Sequence, residues 1–118
     1  MMQKDLHNDR SFIYVCSPFA GDVDGNIQRA REYCRFVLMR GGIPIAPHLL
    51  FPQFMDDADK GERALGLRMG VALLHKCDEL WCFGERISEG MALELDDAAA
   101  RGMRVRRFAN NLREVIDP

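Results

Sequence analysis

The segment Phe12–Cys16 reads FIYVC, an unbroken run of apolar residues rich in β-branched and aromatic side chains. A strand with one wet face alternates apolar and polar residues, so an unbroken run belongs to a strand buried on both faces. Such strands occur in parallel sheets, whose helical crossovers cover both sides. Ser17-Pro18 ends the run and 19–25 is turn-rich. Ile27, Ala30, Cys34, Val37 and Leu38 then recur at helical spacing until Gly41-Gly42 stops the helix. Residues 43–46 form a second short apolar strand, and Glu79–Phe83 (ELWCF) a third. Residues 90–101 read as a helix with Met91, Leu95, Ala98 and Ala99 inward and Gly102 closing it, 105–108 as a fourth strand, and 110–116 as a closing helix or tail.

Strand and helix alternate throughout, which predicts an α/β fold: one three-layer domain around a parallel sheet, flavodoxin-like or Rossmann-like, with strand order 2-1-3-4. In such sheets ligands bind beyond the carboxyl ends of the strands, at the point where the strand order reverses. That point lies between strands one and three, where the loops 17–25 and 84–90 converge. Between them in sequence, 47–60 reads as a long loop with two prolines, three aspartates and the apolar anchors Phe51 and Phe54. A loop of that length in a small domain is commonly functional. The helix expected over 61–76 is apolar on two faces, Leu65, Met69, Ala72 and Leu73 on one, Leu67, Val71 and Leu74 on the other. It needs two partners: the sheet, and either the long loop or a second copy in a homo-oligomer.

Composition narrows the functional classes. The 118 residues fit one domain, 47% hydrophobic and 29% charged. A formal charge of −2 offers no general attraction to a nucleic-acid polymer or an anionic membrane. No apolar run approaches the roughly 20 residues of a membrane span. The polar, ragged segment 1–10 lacks the apolar core of a secretory signal, so a cytoplasmic location is expected. Cys16, Cys34, Cys77 and Cys82 have no metal-type spacing and read as reduced thiols; neither metal nor cofactor is expected.

Two segments carry candidate chemistry. S-P-F-A-G-D-V-D-G precedes a helix amino terminus, where free N–H groups and the dipole favour an anion or a hydroxyl-rich group; Asp24 alternatively serves only as the helix cap. I-S-E-G-M-A-L-E-L opens the helix after strand three. There Glu94 falls at the edge of the stripe set by Met91, Leu95 and Ala98, one turn in, either facing the crevice or solvated. Trp81 and Phe83 sit at core spacing, Asp78 guards the strand entrance, and His75 suits a helix carboxyl terminus.

The strand ending Y-V-C-S-P, followed by D-E-L-W-C-F-G and S-x-G-M-A-L-E-L, resembles the nucleoside 2-deoxyribosyltransferase-like family over roughly residues 12–106, particularly a small bacterial and phage-associated branch. The resemblance implies that Glu94 is a nucleophile attacking C1′ of the sugar. It implies that Tyr14, Ser17, Gly21 and Asp22 form the sugar- and phosphate-binding first loop, that Ser88 contacts a 5′-phosphate, and that Gly90 lies beside the ligand. Ala20 stands where the nucleotide-hydrolysing branch has an arginine, and Arg68, Met69 and Gly70 stand near the family's base-positioning aspartate. Asp56, Asp57, Asp59 and His48 are the nearby groups able to carry a proton or contact a base. The partner implied is a small nucleoside or nucleotide, processed by a two-step retaining mechanism. The alternative is a non-catalytic nucleotide-binding sensor or accessory module on the same fold. A flavin carrier is disfavoured because the first loop lacks a hydroxyl-rich run.

Overall fold

A computed structural model describes residues 10–116; most of the ragged segment expected at 1–10 lies outside the described residues. The chain runs β1 (Phe12–Cys16), α1 (Val23–Met39), β2 (Ile43–Ile45), α2 (Pro47–Leu50), α3 (Lys60–Leu74), β3 (Glu79–Phe83), α4 (Glu89–Ala100), β4 (Arg104–Phe108) and β5 (Glu114–Val115). The sheet order is β2-β1-β3-β4-β5, the first four strands parallel and β5 antiparallel to β4. The three-layer α/β domain and the order 2-1-3-4 are therefore as expected. The added fifth strand replaces the closing helix or tail: Arg106 grips Glu114 through two bonds of 2.8 and 2.6 Å and holds the chain against the sheet edge.

β1 and β3 are buried on both faces, as an unbroken apolar run requires. Ile13, Val15, Trp81 and Phe83 point to one side, where Tyr33 and Val37 of α1 meet them. Tyr33 stacks on Phe83 with ring centroids 4.4 Å apart, and Phe83 stacks on Phe108 at 5.2 Å. Tyr14, Cys16, Leu80 and Cys82 point to the other side, against Leu74 of α3 and Met91 and Ala98 of α4. Asp78 ties the strand entrances together by accepting from the Phe12 N–H at 2.7 Å. All four cysteines are free.

Several local expectations are corrected. Asp22, not Asp24, caps α1, its carboxylate accepting from the Gly25 N–H. The stretch 47–60 is not wholly loop: Pro47 starts α2, where its missing N–H costs nothing, and a 3-10 turn covers Phe51–Gln53. Ala99 is exposed, while Ala98 is fully buried. β2 is an edge strand of three residues; the Ile43 N–H bonds inward to the Ser11 carbonyl, so Pro44 between Ile43 and Ile45 faces outward. No helix among the described residues is long and apolar enough to cross a membrane.

Gly42 shows how tightly α1 is set against the sheet. A Cβ there would lie 2.7 Å from Cγ1 of Ile13 and 3.0 Å from Cγ1 of Val37, both in the core. Gly42→Ala is expected to lower the unfolding free energy by about 1–3 kcal/mol, the usual cost of overpacking. Urea denaturation followed by circular dichroism measures it, and an unchanged midpoint would contradict this packing.

Candidate functional site

Strand alternation puts Tyr14 on the α3/α4 side of β1, and α4 begins directly beyond β3 with Ser88 as its cap, the hydroxyl accepting from the Met91 N–H at 3.2 Å. Glu94 therefore stands one turn into α4, above the end of β1. The Tyr14 hydroxyl donates to its Oε2 at 2.5 Å. Burial pushes the Glu94 carboxyl above the usual carboxylate range, and the bonds from Tyr14 and Cys16 pull it part of the way back. Burial and the adjacent Glu94 hold the Tyr14 phenol far above its ordinary value, so it keeps its proton and remains a donor.

A second polar pair lies nearby. Ser17, the residue after β1, is buried, and its Oγ lies 2.9 Å from Nε2 of His48 in the first turn of α2. Phe19 meets the imidazole edge-on, with ring centroids 6.4 Å apart. Burial pushes the His48 imidazole down to about 4, leaving it neutral at physiological pH.

Both pairs open into one cleft of about 470 Å³ beyond the carboxyl ends of β1 and β3. It gathers Tyr14, Ser17, His48, Asp56, Asp57, Ser88, Gly90 and Glu94 from segments distant in sequence. Gly21 and Asp22 do not line it: Gly21 has a positive φ of 94° in the turn before α1, and Asp22 caps that helix. Asp59 caps α3 by accepting from the Gly61 and Glu62 N–H groups. His75 pairs with Asp97 at 2.7 Å, away from the cleft.

The α3 wall holds residues that sequence reasoning passed over. Gly66 and Gly70, four apart, strip side chains from one helical face at a cost of about 1 kcal/mol each relative to alanine. Both line the cleft, and a Cβ on Gly70 would sit 3.5 Å from the Tyr14 hydroxyl. Glu62 and Arg63 line the same wall, and the Asp56 N–H donates to Glu62 at 2.8 Å, anchoring the 54–59 segment. The readable signal was the i, i+4 glycine pair inside an otherwise good helix.

Glu94's raised value has a thermodynamic sign. The folded state holds that proton more tightly than the unfolded chain, so the group favours folding at low pH, and this is lost as pH rises through the folded value. Glu94→Gln, which keeps an acceptor for Tyr14 but removes the charge, is expected to raise the urea midpoint at pH 8. The gap to the parent should close as pH falls below Glu94's folded value; a destabilised variant at pH 8 would contradict the described burial.

The fold resembles solved transferases. The 2-deoxyribosyltransferase from the psychrotolerant bacterium Bacillus psychrosaccharolyticus aligns with a TM-score of 0.65 and 19% identity over 91% of this chain and 77% of that one. The 2-deoxyribosyltransferase from Leishmania mexicana aligns with a TM-score of 0.61 and 19% identity over 84% of this chain and 64% of that one. At such identity the likeness is one of fold. No curated protein matches the chain. The family model described as Domain of unknown function (DUF7768) matches residues 11–108, and the chain belongs to that family.

Proposed function

We propose that this chain cleaves or exchanges the N-glycosidic bond of a nucleoside or nucleoside 5′-monophosphate, with Glu94 as the nucleophile. The observation that carries the reading is the half-buried carboxylate of Glu94, held by the Tyr14 hydroxyl at 2.5 Å on the wall of a cleft large enough for a nucleoside. Tyr14 fixes one carboxylate oxygen, so the other can meet C1′ of a sugar lying between α4 and the Ser17–His48 pair. An oxocarbenium-like centre is then captured as a glycosyl ester, and water or a second base releases it. The likeness to 2-deoxyribosyltransferases supports the same chemistry.

Ser88 and Gly90 line the cleft at the start of α4, where N–H groups suit a sugar hydroxyl or an anion. Association of identical chains belongs to the same reading. Leu67 and Leu93, 57% and 60% exposed, stand at the cleft mouth and leave apolar surface for a second copy to cover.

Pure protein incubated with deoxynucleosides and their monophosphates is expected to release free base. Mass spectrometry with a slow substrate is expected to find the sugar on Glu94. Glu94→Gln should abolish release and Tyr14→Phe should slow it by roughly 10²-fold or more, as for other groups that position a reacting atom. Nucleotide binding without turnover, undiminished in Glu94→Gln, would instead establish a sensor or accessory module.

A further inference from the structure

The two half-reactions of a glycosyl-enzyme mechanism need protons moved in opposite senses, and the cleft is equipped for one of them. This argument rests on the reading of Glu94 as nucleophile. Expelling an uncharged base requires an acid at the leaving nitrogen. The imidazole of His48 is unprotonated at neutral pH, and Tyr14 keeps its proton. Both suit the second step, in which water gives up a proton, better than the first.

The mouth of the cleft has its own electrostatic bias. Asp56, Asp57, Glu62 and Glu89 line it against a single guanidinium, Arg63, among the described residues. Glu62 is fixed as an acceptor by the Asp56 N–H at 2.8 Å, and Asp56 in turn accepts from the Ala58 N–H at 2.9 Å, so this segment presents oxygens. A concave site lined by an excess of one charge concentrates ligands of the other.

We infer that the preferred substrate carries a positive charge on its base before the bond breaks, as a pyridinium or N7-alkylpurine nucleoside does. With such a base the first step balances without an acid. A Glu94 oxygen bonds to C1′, the C1′–N bond breaks, and its electron pair neutralises the ring, which departs uncharged. In the second step a water oxygen bonds to C1′ and the ester C–O bond breaks, returning the carboxylate. The water's proton passes to the Ser17 hydroxyl as Ser17 hands its own to Nε2 of His48.

The test uses the full-length Glu94→Gln protein, which binds without turnover, and two ligands of one shape: nicotinamide riboside, a pyridinium, and benzamide riboside, in which carbon replaces the charged nitrogen. Calorimetry at low salt is expected to show the pyridinium bound about tenfold tighter, with the preference falling as salt screens the acidic rim. Adding Asp57→Asn is expected to weaken nicotinamide riboside severalfold and leave benzamide riboside unchanged. Equal affinities, or no measurable binding of either ligand, overturn the inference. If the parent protein nevertheless releases base from uncharged deoxynucleosides in a Glu94-dependent way, glycosyl transfer stands and only the charge preference is lost. If the parent releases base from neither class, both fall together.

Discussion

A carboxylate drawn partly out of water must be compensated by a donor that does not titrate away, and the bond from Tyr14 to Glu94 meets that need. Much of the surrounding architecture serves it. β1 must be buried on both faces to place an aromatic hydroxyl in the α3/α4 layer. α3 must carry glycine at position 70, close to that hydroxyl. α4 must begin at Ser88, so that its second turn brings residue 94 above the strand end. A tyrosine raised far above its ordinary range cannot lose its proton to the carboxylate, and the polarity of the pair is thereby set.

The two sides of the sheet divide the work. The α1 side is an aromatic stack of Tyr33, Phe36, Trp81, Phe83 and Phe108, with few polar atoms to satisfy. The other side uses smaller groups, cysteines, alanine and glycine, and leaves the room that becomes the cleft. Dense packing on one face thus supports an open, polar construction on the other.

Much of this was legible in the residues. FIYVC and ELWCF announced strands covered on both faces, and with them the parallel order and the position of the crevice. Glu94 was legible because helical periodicity places it at the rim of an apolar stripe, although solvent remained an equal alternative until Tyr14 was located across the fold. What escaped depends on contacts between distant segments. Pro47 reads as a breaker but starts a helix. The two residues of β5 have no periodicity of their own and are held by the Arg106–Glu114 pair. Asp22 and Asp24 have equal cap chemistry, and only backbone geometry chooses between them. Ser17 and His48 are 31 positions apart, so their bond leaves no local trace.

Pro44 faces outward from the free edge of β2, and β5 occupies the far margin beside β4. An incoming extended segment would find its central amide donor missing on one border and a two-residue, ion-paired ribbon on the other. Growth by strand addition is discouraged at both borders, which guards a chain with so apolar a centre against fibril-like stacking. Contacts between copies are steered toward the helical surfaces instead.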